Sequence, residues 1–333
     1  MIPIDLPTIW AFIIAFAIFA YVVMDGFDLG IGILFPAFDD RDRNRAMNSI
    51  APVWDGNETW LVLGGGGLMA AFPVAYGVIF SALYTPIVAM LLALIFRGVA
   101  FEFRWRDPNH RKYWDAAFIL GSTVAALAQG ITLGGLLQGI AVNGRAYGGG
   151  WWDWLSPFSV AVGIALVCGY ALLGATWLIM KSEGSLLERC YPLALRFGIA
   201  TIVAMAVVSA WTPFLAHEYY SRWFEWPQVL FAAQVPLLVA IASVAFFFAL
   251  RHKRSYWPFL IALALFALGL IGLGISLYPY VVPRSITIWD AAAPSQSLGF
   301  MLVGAAIMVP IILAYTGYAY WVFRGKTGEE GYH

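Results

Sequence analysis

Nineteen residues separate Asp5 from Asp25 without a charged side chain, and the sixteen from Ile9 to Met24 are apolar throughout. A lipid-spanning helix needs about 20 mostly apolar residues. In lipid every backbone N–H and C=O must be satisfied within the segment, so a run of this kind reads as a helix. Eight further segments resemble the first, which itself extends over Ile9–Phe35. They are Glu58–Pro73, Val78–Ala100, Ala116–Ile140, Val160–Met180, Leu193–Leu215, Val229–Leu250, Pro258–Leu277 and Leu298–Val322. Of the 333 residues, 62% are hydrophobic and 11% charged, against about 25% charged in a soluble domain. The expected fold class is therefore an all-α integral membrane protein, one polytopic domain over residues 1–333 with nine transmembrane helices. The N-terminal run lacks a basic leader and exceeds a signal-peptide core, so it is read as a span. The second segment is short and carries Gly64, Gly65, Gly66 and Gly67. An alternative joins it to Val78–Ala100 as a re-entrant hairpin.

The basic residues set the orientation. With the N-terminus outside, the inner segments hold Arg41, Arg43 and Arg45; Arg97, Arg104, Arg106, Arg111 and Lys112; Lys181, Arg189 and Arg196; Arg251, Lys253 and Arg254; and Arg324 and Lys326. Only Arg145, Arg222 and Arg284 fall outside. Cytoplasmic loops carry the excess of Lys and Arg, so this division places the C-terminus in the cytoplasm and requires an odd number of spans. Trp151, Trp152, Trp154, Trp223, Trp226, Tyr278, Tyr280 and Trp289 cluster in the outer loops, as an aromatic belt at the headgroups does. Lys and Arg together equal Asp and Glu in number, which argues against a nucleic-acid partner.

An ionisable side chain inside a membrane costs several kcal/mol, so it faces a cavity, a partner or an ion path. Asp25 and Asp28 are three residues apart and share a helix face. At about 1.5 Å per residue, Asp25 lies about 24 Å along the helix from Ile9, in the inner third of the bilayer. A second group, Trp54-Asp55-Gly56-Asn57-Glu58, opens the second span at the same inner depth. Asp55 and Glu58 are spaced as a capping box would be. Set beside Asp25, Asp28 and Arg97, they also compose a carboxyl group with one cation, open to the cytoplasm. Glu102 follows just beyond. That constellation suits either a proton inlet or a buried ion-pair network.

The four His residues are His110, His217, His252 and His333. None is mid-membrane, so the chain lacks the paired His that would hold a b-type haem; His217 is the one position from which a haem near the outer face could be ligated. Cys168 and Cys190 form no metal-site or disulfide pattern, and no metal site is expected. Walker, dinucleotide-binding and nucleophile-elbow motifs are missing.

The run Asn48 to Leu61, with the glycines that follow and Ala70-Ala71-Phe72-Pro73, resembles subunit II of cytochrome bd-type quinol oxidases. So do Asp25-Gly26-Phe27-Asp28-Leu29-Gly30-Ile31-Gly32, the stretch Tyr278 to Thr287, and the ending Tyr315 to Lys326. The Gly run and short inner loops resemble the cyanide-insensitive branch. The resemblance implies two four-helix bundles plus one peripheral helix. It implies a complex in the bacterial inner membrane that oxidises quinol and reduces dioxygen to water. Haem b and haem d, or haem b alone, would be ligated by the partner subunit I. A structural quinone in this subunit and a small accessory transmembrane subunit occur in some members. Asp55 matches the acid associated with proton intake at the subunit interface, and Asp25, Asp28, Trp54 and Arg97 match positions of the same region. Some members carry Gln where this chain has Glu58.

Two other readings compete. A proton-coupled secondary transporter also uses buried acids and Gly-interrupted helices, but no paired broken helices in matching halves are visible. In a purely structural subunit the acids would serve only as ion pairs.

Overall fold

The computed structural model describes residues 5–328. Fourteen α-helices carry the chain: α1 (Leu6–Leu34), α2 (Asp40–Asn48), α3 (Trp54–Ala71), α4 (Pro73–Ala82), α5 (Tyr84–Arg106), α6 (Arg111–Leu137), α7 (Pro157–Lys181), α8 (Gly184–Trp211), α9 (His217–Phe224), α10 (Val229–Ala232), α11 (Gln234–Arg251), α12 (Trp257–Leu277), α13 (Ile288–Ala291) and α14 (Ser295–Val322). Two small antiparallel hairpins, β1–β2 (Val142–Asn143, Ala146–Tyr147) and β3–β4 (Tyr280–Val282, Ile286–Thr287), sit in the α6–α7 and α12–α13 connections. Arg222 and Arg284, expected in outer loops, lie at that end and donate to the carbonyls of Tyr278 and Gln138.

Among the described residues eight helices are long and apolar enough to cross a membrane, one fewer than the nine expected. The missing one is α3. Its 18 residues include Asp55, Glu58 and the four glycines, which lower its hydropathy. It nonetheless runs antiparallel along α1: Asn57 meets Met24 at one end, Gly64 and Gly67 meet Ile18 and Ile14, and its last residues join a core cluster with Trp10. The expected segment from Val78 to Ala100 is also divided differently. α4 starts at Pro73 and α5 at Tyr84, with a break at Leu83. Pro73 and Pro86 both fall in a first helical turn, where their missing N–H leaves no unmet hydrogen bond. α8 begins nine residues before the expected Leu193, taking in Glu188 and Arg189 beyond the apolar run.

α7 is the axis of the fold, and every residue from Gly169 to Ile179 is buried. α1 packs on it almost backbone to backbone. A Cβ on Gly30 would lie 1.9 Å from the Tyr170 carbonyl oxygen, and one on Gly174 would lie 2.5 Å from the Gly30 carbonyl carbon. With no hydrophobic force between helices in lipid, such close approach of small residues is what dispersion needs to hold them together. α14 lies at the rim, with Leu298 as its one buried residue. α2 runs along the basic end. Asp39 caps it by accepting from the Asp42 N–H, and this bond, with Arg189 nearby, holds its carboxyl below the usual range.

Candidate functional site

The tight α1–α7 seam fixes the rotation of α1 and so decides what its acids meet. Asp25 and Asp28 are buried, and their face turns toward α3 and α5. From α5 comes Arg97, whose side chain is 0% exposed. Its Nη1 donates to Asp25 Oδ1 at 2.7 Å and to Glu58 Oε1 at 2.6 Å. Its Nη2 lies 3.7 Å from Asp28 Oδ2. Gly121 of α6 makes room for α5 at this level, since a Cβ there would meet the Ala93 carbonyl at 2.7 Å. Asn57 of α3 donates through Nδ2 to Asp28 Oδ2 at 2.7 Å and accepts through Oδ1 from the Tyr320 hydroxyl at 2.9 Å. Trp54 lies over the Arg97 guanidinium at 5.9 Å and stacks on Phe101, closing that side with a favourable cation–π contact.

Of the residues singled out in the sequence, Asp25, Asp28, Asn57, Glu58, Trp54 and Arg97 thus meet. Asp55 is exposed, three residues before Glu58 and on the same face of α3. The capping-box reading of Asp55 and Glu58 does not hold. Val53 occupies the N-cap, no side chain caps it, and Asp55 is already inside the helix. Glu102 stays outside the cluster, exposed and paired with Arg106 at 3.5 Å on its own helix. Exposure of the carboxyls falls in order, from Asp55 at the surface to Glu58 at 30%, Asp25 at 1% and Asp28 at 0%.

Four participants, Tyr21, Gln129, Tyr170 and Tyr320, have no charge to mark them. Tyr21 stands one turn before Asp25 on the same face of α1 and accepts from Gln129 Nε2 at 2.7 Å; Tyr170 donates to Gln129 Oε1 at 2.6 Å. The four-residue step from Tyr21 to Asp25 is the sequence signal that could have drawn attention to the first of them. Tyr320 lies 263 residues from Asn57, and no local pattern connects the two.

A second buried polar cluster lies two turns along α5. Arg104 is buried and donates through Nε to Asp115, and Arg43 reaches the same carboxylate at 3.0 Å. Arg104 and Arg111 both donate to Asn44. The spacing of seven between Arg97 and Arg104 puts both on one face of α5.

Three carboxyls share one guanidinium around Arg97, so the fully ionised group carries an excess of two negative charges. Asp25 Oδ2, Asp28 Oδ1 and Arg97 Nε are buried with no hydrogen-bond partner among the described residues. Buried polar atoms of this sort take water or protons. His217 opens α9 with its ring against Tyr220.

These features define a multi-pass helical membrane protein with a charged cluster at the basic end of its spans. The family model for the cytochrome bd terminal oxidase subunit II matches residues 6–323. The chain is 30% identical to the cytochrome bd-I ubiquinol oxidase subunit 2 of Escherichia coli strain K12, over 97% of this chain and 95% of that one. It is 27% identical to the cytochrome bd ubiquinol oxidase subunit 2 of Bacillus subtilis strain 168, over 98% of both chains. The solved bd oxidase of Geobacillus thermodenitrificans has the same fold, with a TM-score of 0.79 at 19% identity over 95% of this chain and 98% of that one. The protein belongs to the cytochrome bd oxidase subunit II family and is a multi-pass inner-membrane subunit of a respiratory quinol oxidase. Membership in this family leaves the transporter reading without support.

Proposed function

We propose that this chain supports a haem-bearing subunit I and guides cytoplasmic protons toward it through Asp55, Glu58, Asp25 and Asp28. The single observation that carries the reading is the graded burial of these carboxyls around Arg97. A proton bound at the surface by Asp55 passes to Glu58 on the same helix face, then to the buried pair. Arg97 keeps the buried carboxyls together without balancing the charge of all three. The excess negative charge favours proton uptake, because an unpaired buried charge is costly. Dioxygen reduction to water consumes protons, and drawing them from the cytoplasm while quinol releases its own outside builds a gradient.

In this reading the chain crosses the membrane nine times, N-terminus outside and C-terminus in the cytoplasm. The antiparallel run of α3 along α1 and the gathering of basic residues at one end support the ninth span. The spans form two four-helix bundles with α14 as the peripheral helix, in keeping with the exposure of α14. Haem b and haem d, or haem b alone, belong to subunit I. A structural quinone within this subunit and a small accessory transmembrane subunit complete the complex, with lipid around it.

Asp55→Asn tests the inlet, since this exposed residue can change without disturbing the core. Assembly and haem content stay intact while quinol-driven oxygen uptake falls. Wild-type turnover in that variant would refute the inlet.

A further inference from the structure

A cavity of about 400 Å³ lies at the basic end of the bundle, between the α2–α3 connection, the end of α7, the start of α12 and the end of α14. That size is in the range of about 300–1,000 Å³ typical of small-ligand pockets. Its wall includes Lys181, Arg324, Ser49, Trp177 and Tyr320. Lys181 is buried yet faces no carboxylate among the described residues. Its ammonium donates to the carbonyls of Phe323 and Gly325, which uses two of its three hydrogens. Arg324 donates to the Trp321 carbonyl through Nη1 and forms no ion pair among the described residues. Lys326 stands nearby and donates to the Ser182 carbonyl at 3.1 Å. Two cations therefore line the cavity, with a third beside Lys181, and none of the three is paired with a carboxylate among the described residues. Tyr256, in the cavity wall, and the adjacent Trp257 are each 59% exposed, the placement of aromatic side chains at a headgroup interface.

We infer that this cavity binds the phosphate of an anionic phospholipid headgroup from the inner leaflet. Basic pockets between transmembrane helices on the cytoplasmic side recognise such headgroups. The spare Lys181 hydrogen and the Arg324 fork donate to the phosphate oxygens, and Trp177, with Lys181 5.3 Å above its ring, forms the apolar wall. Tyr320 lines the cavity and also holds Asn57, so the headgroup sits one residue from the hydrogen-bonded chain to Asp28.

The test uses the detergent-solubilised complex, stripped of lipid and titrated with phosphatidylglycerol, with phosphatidylcholine of the same acyl chains, and with inorganic phosphate. Native mass spectrometry reads the bound molecules. The wild type takes up phosphatidylglycerol and not phosphatidylcholine, and Arg324→Gln weakens that uptake about five-fold, the effect of one basic residue near a charged headgroup. Lys181→Gln weakens it further, and because that residue also ties down the C-terminal carbonyls, Arg324→Gln, which leaves those bonds intact, decides the matter. Equal uptake of the two lipids, or wild-type affinity in Arg324→Gln, overturns the proposal. Saturation by inorganic phosphate without uptake of phosphatidylglycerol also overturns the lipid as the source.

Discussion

Replacing Arg97 with Met keeps an unbranched apolar stem, though a shorter one, and deletes the one cation that three carboxyls share. Two of those contacts, at 2.6 and 2.7 Å, are hydrogen-bonded ion pairs. At an effective dielectric constant of 20, unit charges about 4 Å apart attract by about 4 kcal/mol. Desolvation offsets part of that gain while the pair is intact, but none of it is recovered when only one partner is removed. The loss is then about 3–5 kcal/mol. Asp25 Oδ2 and Asp28 Oδ1 already lack hydrogen-bond partners, and no second cation pairs with either carboxylate among the described residues. The purified complex carrying Arg97→Met should unfold at a clearly lower temperature in a fixed-rate scan and show little oxygen uptake. Adding Asp25→Asn to the same chain removes one unbalanced carboxylate and should restore part of the lost stability. Such residues in one network couple by about 0.5–3 kcal/mol. A single variant as stable as the wild type, or a double variant no more stable than the single one, would refute the shared-cation account.

Gly30→Ala drives a methyl group to 1.9 Å from the Tyr170 carbonyl, where ordinary contact begins at 3.4 Å, so α1 and α7 must part by about 1.5 Å. Overpacking of this sort costs about 1–3 kcal/mol, and the thermal midpoint of the complex should fall while an alanine at Gly65, which has nothing within 4 Å, leaves it unchanged. Tyr320→Phe removes the donor that fixes the Asn57 amide, at a cost of about 0.5–1.5 kcal/mol. Asn57 is then held only through Nδ2, by Asp28 and the Met24 carbonyl, and oxygen uptake falls at unchanged haem content; unaltered stability and uptake together would break the proposed link.

Much of the site could be read along the chain. Asp25 and Asp28 share a helix face because they are three residues apart, and their depth follows from the length of the run before them. Arg97 is a candidate partner from the sequence because it lies near the inner end of an apolar run at the same level. The misreadings have local causes. Asp55 and Glu58 carry capping-box spacing, but the helix starts two residues earlier than that box requires, at Trp54, with Val53 as its cap. Glu102 follows Arg97 by five residues, a step that turns it to another face of α5, where it meets Arg106 instead. Arg104 falls beyond the apolar run that ends at Ala100, yet α5 continues to Arg106 and carries it inward to Asp115.

Chain-local properties decided that this protein lives in a membrane and which end faces the cytoplasm in the proposed orientation. Run length, backbone satisfaction and the placement of Lys and Arg need no knowledge of neighbours. Tertiary structure alone decided which acids meet Arg97, that Gln129 joins Tyr21 to Tyr170, and that Tyr320 reaches Asn57 from the far end of the chain. Those contacts depend on how far each helix is rotated and slid against the next. The Gly30–Gly174 approach sets that register for α1 and α7, and close packing between distant segments leaves no periodic trace in either one.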